Sequence, residues 1–380
     1  MKVMSVLNLR PRKLGSFEEY VVSLSQALTQ QGGQSILVFK EFPPEALRPR
    51  YTDAGALLET KPFEPFGRES ARALTALLRR HKPHVIHLHF VNIMSLDVVA
   101  ASLHRGVKVV FSEHASDIPK ERTALRWRML QASKRIFSSH IDQVIAPSKY
   151  VNRWLVHQGI SAKKIITVYN GVKVENFRDR PRTGDLRAKY GIRQNTLIVT
   201  SISQLIPEKG IGYLIEAAAL VLKEGRNVSF VHVGDGACAA EYREKIRQLG
   251  IEKHFIFAGL LNQWEIAAIL HQSDIFTLPC TWGEAFSLVI LEALAAGKPV
   301  IVTRVGGNIE AVEDGENGLV VAPHDPCALA AAIITLHDSP ERRLAMGIES
   351  AKRSGYFTLD RWVSQTIEIY DRLAQNRATS

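Results

Sequence analysis

Asn176-Phe177-Arg178-Asp179-Arg180-Pro181-Arg182-Thr183-Gly184-Asp185 interrupts an otherwise regular chain. The stretch is polar, contains Pro181 and Gly184 and has no apolar period, so it reads as a linker. On both sides short apolar runs alternate with longer amphipathic ones, the rhythm of βαβ units in a parallel sheet. N-terminal to it, strands are expected near Val3–Leu9, Ser35–Lys40, Val85–Leu88, Val107–Phe111, Gln143–Ala146 and Ile165–Tyr169. Helical patterns fall at Ser16–Gln31, Gly67–His81 and Ser148–Gln158. Within the first of these Val21, Leu24 and Leu28 recur at helical spacing. C-terminal to the break the rhythm restarts, with strands expected near Thr196–Ile202, Val228–Val233, Phe255–Ala258, Asp274–Leu278, Pro299–Thr303 and Gly318–Val321. Two such runs predict an α/β protein of two Rossmann-like, doubly wound domains. The expected boundaries are 1–175, a linker at 176–186, 187–357, and a closing segment 358–380. That segment holds an amphipathic helix, Leu359–Leu373, with Trp362, Ile369 and Tyr370.

A length of 380 residues suits two domains of ordinary size. An apolar content of 46% with 23% charged residues is that of a globular protein, not a disordered one. Met1–Arg10 has no small-residue cleavage site, so no signal peptide is expected. No apolar run approaches the roughly 18 residues of a membrane span. Cys238, Cys280 and Cys327 lie far apart without a CxxC pair. This speaks against a zinc site or disulfide framework and for a reducing cytoplasm. The net charge of +10 is uneven: residues 1–180 carry 28 Lys and Arg against 15 Asp and Glu, and the remainder is slightly acidic. Such asymmetry points to an anionic partner for the first half, whether nucleic acid, an anionic lipid surface or a phosphorylated acceptor.

Ligands of open α/β sheets bind beyond the carboxyl ends of the strands, and the informative residues sit there. Lys13-Leu14-Gly15-Ser16 follows the first strand and opens a helix with Glu18 and Glu19 in its first turn. Small residues at a helix start let backbone N–H groups approach an anion; the same residues also make an ordinary N-cap. Ser203-Gln204-Leu205-Ile206-Pro207-Glu208-Lys209-Gly210 follows the first strand of the second half. Lys209 there can neutralise a diphosphate as a point charge, or be a solvated lysine before a helix. Ser273–Val302 is the densest stretch. A strand ends at Leu278-Pro279, Cys280-Thr281-Trp282-Gly283-Glu284 forms a loop, and Ala285-Phe286-Ser287-Leu288 opens a helix carrying Glu292. Glu284 and Glu292 fall on nearly one side if that helix runs through both. Glu292 lies in an apolar run, where a carboxylate needs a partner. His87 and His89 share one face of a strand. They could be two ligands of a metal site still wanting a third, or ordinary histidines. His114 likewise could be a core histidine.

At these residues the chain resembles the retaining glycosyltransferases of GT-B fold called family 4. Gly15-Ser16-Phe17-Glu18 stands where that family often has Gly-Gly-Ala-Glu. Pro83-His84-Val85-Ile86-His87-Leu88-His89, Ser112-Glu113-His114-Ala115-Ser116-Asp117, Ala146-Pro147-Ser148 and Val168-Tyr169-Asn170-Gly171-Val172 resemble further motifs. In the second half Pro207-Glu208-Lys209-Gly210, Gly234-Asp235-Gly236 and Phe257-Ala258-Gly259 follow in the family's order. The spacing from Glu284 to Glu292 matches its E-x7-E signature, followed by Ala293, Ala296-Gly297 and Pro299-Val300. Together these segments cover nearly the whole chain. The resemblance implies two Rossmann-like domains facing across a cleft, with the last helix crossing back onto the first. It implies a nucleotide-sugar donor, a UDP-sugar foremost, and no cofactor or metal. Lys209 would bind the diphosphate, Glu292 the ribose, and Glu284 with the amides of Ala285, Phe286, Ser287 and Leu288 the sugar and its phosphates. Gly259 to Leu261 would lie near the base. His114 would reach the reacting sugar, and Gly15 and Ser16 the diphosphate. Two positions depart from the pattern: Gln204 stands where an arginine is usual, and Ser16 replaces a glycine.

The implied acceptor is a polysaccharide, lipid-linked or lipopolysaccharide-type saccharide. Pro119–His140 is basic and amphipathic, with Lys120, Arg122, Arg126, Arg128, Lys134 and Arg135 among Trp127, Leu130, Ile136 and Phe137. Such a helix can lie on an anionic membrane, which would make the protein cytoplasmic and peripheral on the inner leaflet, or it can pack its apolar side on the domain. A nucleotide-sugar epimerase on the same fold is a rival reading, against which the E-x7-E spacing speaks. A nucleic-acid-binding protein is another, but the basic half lacks the interleaved aromatic array that single-strand binding uses, so no nucleic acid is expected.

Overall fold

The computed structural model describes residues 1–12, 14–64, 67–114, 123–179 and 185–375. Near-continuous apolar runs such as Val3–Leu7 and Ile36–Phe39 form strands covered on both faces, as parallel sheets require. The first sheet has seven strands: β1 (Lys2–Leu7), β2 (Gln34–Phe39), β3 (Ala56–Thr60), β4 (Val85–His89), β5 (Lys108–Ser112), β6 (Gln143–Ala146) and β7 (Ile165–Thr167). Their order is β3-β2-β1-β4-β5-β6-β7, all parallel. The second has six: β8 (Leu197–Ile202), β9 (Val228–Val233), β10 (Phe255–Gly259), β11 (Ile275–Leu278), β12 (Val300–Thr303) and β13 (Gly318–Val321). They run β10-β9-β8-β11-β12-β13, also parallel. Both orders reverse once, between β1 and β4 and between β8 and β11. Those are the points where doubly wound sheets open a crevice.

The expected second-half strands all form, each within a residue of its predicted bounds. In the first half β3 is additional. It is an edge strand built from Ala56-Leu57-Leu58-Glu59-Thr60, with Leu57 42% exposed, and only Thr60 is β-branched. An edge strand needs less β-propensity because one side stays unpaired.

The chain divides into two compact units, Met1–Asn170 with the segment from Leu359, and Gly171–Thr358. Asn176–Asp185, read as a linker, therefore begins inside the second unit. Glu175–Arg178 is a helical turn with Phe177 fully buried, and Val172 N–H donates to the Phe357 carbonyl at 2.9 Å. Pro181 and Gly184 lie outside the described residues. At the other end Asp185 caps the helix Leu186–Tyr190 through the amides of Arg187 and Ala188. The second unit's core packs helices Ile211–Lys223 and Pro326–Asp338 on its sheet through Ile215, Ala218, Ile333 and Leu336.

In the first unit the final helix, Leu359–Gln375, returns as expected and lies along Ser16–Gln30. Trp362 stacks on Tyr20 with ring centroids 3.7 Å apart, and the Tyr20 and Thr366 hydroxyls are 3.1 Å apart. Tyr370, fully buried, reaches His87 Nδ1 at 2.5 Å. Stacked aromatics and paired hydroxyls fix this helix in register as well as in place. No described helix is long and apolar enough to cross a membrane.

Candidate active site

In the second unit the loops after β8 and β11 are pressed together. Gly210 follows the short helical turn Pro207–Lys209 at φ +71°, and a Cβ there would lie 1.8 Å from the Pro279 carbonyl oxygen. Only glycine tolerates both the left-handed backbone and that approach. Thr281 N–H closes the contact by donating to the Glu208 carbonyl at 3.0 Å. This brings Lys209 and Glu284 together: Lys209 Nζ donates to Glu284 Oε1, with 21% and 23% of their side chains exposed. Burial works against the lysine's charge, but Glu284, Cys280 and Glu208 together outweigh it, and the Lys209 ammonium is held above its ordinary range. The site thus keeps a permanent cation that solvent still reaches.

Glu284 is positioned from the far side by β12. After Thr303 the chain turns at Gly306, φ +62°, whose Cβ would meet the Glu284 carbonyl oxygen at 2.2 Å and its nitrogen at 2.4 Å. Gly307 N–H donates to the same carbonyl at 2.8 Å. The buried Asn308 accepts from Ser287 N–H at 3.1 Å. These contacts hold Glu284–Ser287 out of the helix, which begins only at Leu288 and ends at Ala295. Glu284 and Glu292 therefore do not share a helix, and the expectation of one helical face is corrected. Ala285 and Phe286 are buried, with Phe286 packed on Phe357. Ser287 and Leu288 are half-buried, and the Ser287 amide is already spoken for by Asn308. Glu292 is 5% exposed within the helix.

Of the remaining second-unit positions, Gln204 shares the loop after β8 with Lys209, and Gly259 and Leu261 lie farther along the sheet. Gln204 is exposed. Gly259, φ +74°, ends β10 and its carbonyl accepts from Gly234 N–H at 2.9 Å, joining it to the Gly234-Asp235-Gly236 loop. Leu261 instead lines a pocket of about 200 Å³ between Leu186–Tyr190 and Gln263–Gln272.

In the first unit Gly15 is an N-cap: its N–H donates to Glu18 Oε2 at 3.0 Å, and Ser16 is buried. The helix's own carboxylate thus occupies the Gly15 amide; Lys13 lies outside the described residues. His114, half-buried, sits beyond β5 with Nε2 3.0 Å from Nδ1 of His89 at the end of β4. Phe17 meets its ring edge-on, and Phe90 stacks on it at 4.2 Å. Burial pushes the His114 imidazole down to about 3 and, with its histidine neighbours, drives His89 well below the usual range, so both are neutral. Ala115, Ser116 and Asp117 lie outside the described residues. His87 is buried between Ser112 Oγ at 2.7 Å and Tyr370, and its ring packs on His89 at 3.8 Å. Among the described residues no three His, Cys, Asp or Glu side chains group as for a metal ion.

Sequence reasoning missed Gly306, Gly307 and Asn308, although two successive glycines at a strand's carboxyl end were a readable signal. Phe17 and Phe90 also escaped it; Phe90 stands at φ +55°, a conformation rare without glycine that no local pattern announces.

Two doubly wound parallel sheets of this kind define the GT-B class of glycosyltransferases. Residues 183–353 match the family described as glycosyl transferases group 1, and residues 17–176 match glycosyltransferase family 4. The chain belongs to this family of glycosyltransferases. It is 26% identical to D-inositol 3-phosphate glycosyltransferase of Streptomyces scabiei, over 94% of this chain and 86% of that protein. It is also 26% identical to phosphatidyl-myo-inositol mannosyltransferase of Mycobacterium leprae, over 95% and 94%. The crystal structure of Anabaena Alr3699/HepE in complex with UDP superposes with a TM-score of 0.81 at 21% identity, over 98% of this chain and all of that one.

Proposed function

We propose that the enzyme moves a sugar from a nucleoside-diphosphate sugar, a UDP-sugar foremost, to a hydroxyl of a saccharide or lipid-linked acceptor, with retention and without a metal ion. The observation that carries this reading is the Lys209–Glu284 pair at the switch point between β8 and β11. Lys209 supplies the fixed positive charge that a departing diphosphate needs. Glu284 receives hydrogen bonds from the sugar hydroxyls; with its charge taken up by Lys209 it is a poor nucleophile. The bond from the anomeric carbon to the diphosphate oxygen breaks, the acceptor oxygen bonds on the same face, and the acceptor proton leaves on the diphosphate. Amides of Ala285, Phe286 and Leu288 face the phosphates, Glu292 the ribose, Gly259 the base, and His114 the sugar. Gly15 and Ser16 keep their helix start small enough for the diphosphate to approach. The UDP bound by Alr3699/HepE supports the choice of nucleotide.

The acceptor reading rests on the helix Ala124–Ser139. Its buried side uses Lys134, which donates to Gln158 Oε1 at 2.8 Å and lies over the Trp154 ring, so this lysine does not face solvent. The opposite side leaves Leu125, Met129 and Ile136 exposed by 69, 62 and 63%, beside exposed Arg126, Arg128 and Arg135. Lys120 and Arg122 lie outside the described residues. An apolar stripe flanked by arginines suits an anionic lipid surface, and a lipid-named relative such as the mannosyltransferase fits an acceptor held there. On this reading the enzyme works at the inner face of the cytoplasmic membrane.

The test is a panel of UDP-, GDP- and ADP-sugars read by release of free nucleoside diphosphate, with and without a chelator. Release from one donor, unchanged by the chelator, is expected. No release from any donor with a range of saccharide and lipid acceptors would overturn the reading.

A further inference from the structure

One proton lies between His89 Nδ1 and His114 Nε2, whose separation is 3.0 Å. Which ring owns it follows from the other nitrogen of His89. His89 is 1% exposed, and its Nε2 is buried without a hydrogen-bond partner among the described residues. A buried N–H with nothing to accept it is rarer and costlier than an unused lone pair. The His89 proton therefore belongs on Nδ1, where it is donated to His114. The rings have little freedom to trade roles. Phe17 packs edge-on against both, and Phe90 covers His114. His87, anchored by Ser112 and Tyr370, lies against His89 from behind.

We propose that His89 is a positioning residue that locks neutral His114 in the tautomer protonated on Nδ1, so that His114 meets its ligand as a hydrogen-bond donor to an oxygen and never as a base. The oxygen is a hydroxyl or phosphate oxygen of the donor. This deepens the reading above, in which His114 faces the donor sugar, and rests on it for the identity of the ligand. It makes the last helix part of the site's support, since Tyr370 holds His87 and His87 backs His89.

The test uses the full chain with ¹⁵N-labelled histidine at neutral pH. In the free enzyme, nitrogen NMR is expected to find His114 Nε2 unprotonated and Nδ1 protonated. His89→Asn presents an amide donor close to where Nδ1 stood, and should keep that tautomer and keep kcat/KM for the donor within about twofold. His89→Leu removes the donor, should let the His114 tautomers mix, and should lower kcat/KM roughly tenfold, the value of one hydrogen bond. A protonated Nε2 on His114 in the unmodified enzyme would overturn the proposal, as would a His89→Asn variant that is folded yet matches His89→Leu in tautomer and rate. The tautomer is read without substrate. An enzyme inactive on every donor would thus sink the functional reading while leaving this result standing.

Discussion

Lys209 and Glu284 lie on loops after different strands, 75 positions apart, yet they form one partly buried ion pair. The contact leans on two glycines, one beside the lysine and one remote from both residues: Gly210 lets the β8 turn touch Pro279, and Gly306 lets the β12 loop press on Glu284.

Removing either member leaves its partner's charge uncompensated in a site that has lost part of its water. Lys209→Ala and Glu284→Ala are each expected to cut turnover by about two to three powers of ten. Initial rates of nucleoside diphosphate release, taken at saturating donor, check this. Near-normal rates in both variants would remove the pair from the mechanism.

Gly306→Ala tests the support of Glu284 from behind. The new methyl would clash with the Glu284 backbone, and φ +62° is strained for alanine. A loss of about 1–3 kcal/mol in unfolding free energy is expected, together with a fall in turnover close to that of Glu284→Ala. Urea unfolding and rate measurements on the same preparation separate the two effects. A variant with full activity would mean that Glu284 does not depend on this loop.

The outward side of the helix Ala124–Ser139 predicts binding to vesicles containing phosphatidylglycerol. Affinity should fall about fivefold for each of Arg126, Arg128 and Arg135 changed to glutamine, and further on raising salt. Leu125→Glu with Met129→Glu should abolish what remains. Co-sedimentation is the measurement. Binding indifferent to all of these changes would leave the stripe without a lipid partner.

The neutral histidines set an acid limit on the first unit. His114 has an ordinary value of 6.5 in the unfolded chain and about 3 in the folded one, lowered by burial. Between those values the unfolded chain binds the proton and the native one does not, so stability is complete above about 6.5 and declines as pH falls toward 3. Urea midpoints at neutral and mildly acid pH should show this decline. His114→Asn should flatten its slope by about one proton. An unchanged slope would mean that the imidazole is already protonated in the native state.

Both sheets were legible because parallel strands buried on two faces are written as short, near-continuous apolar runs, Val300–Thr303 and Gly318–Val321 among them. β3 was not legible, because Ala56-Leu57-Leu58-Glu59 would suit a helix equally well and only the pairing with β2 decides. The sequence named Lys209, Glu284 and His114, but their relationships were hidden. Ala285-Phe286-Ser287 could have continued a helix toward Glu284; contacts from Gly306, Gly307 and Asn308, some twenty positions away, keep it out of the helix. Likewise the same-face spacing of His87 and His89 was readable, while the partner each takes, Tyr370 for one and His114 for the other, comes from segments remote in the chain.

The last helix has a consequence for how the molecule is made. Because the chain leaves its first unit after Asn170 and rejoins it only at Leu359, the ribosome must finish the whole second unit before the first can close. Until then Tyr20 lacks its stacking partner and His87 one of its two anchors. A fragment ending near residue 170 should accordingly be a sticky, incomplete body, and adding the final helix as a separate peptide should rescue it, whereas the inserted unit can fold on the nascent chain ahead of its host.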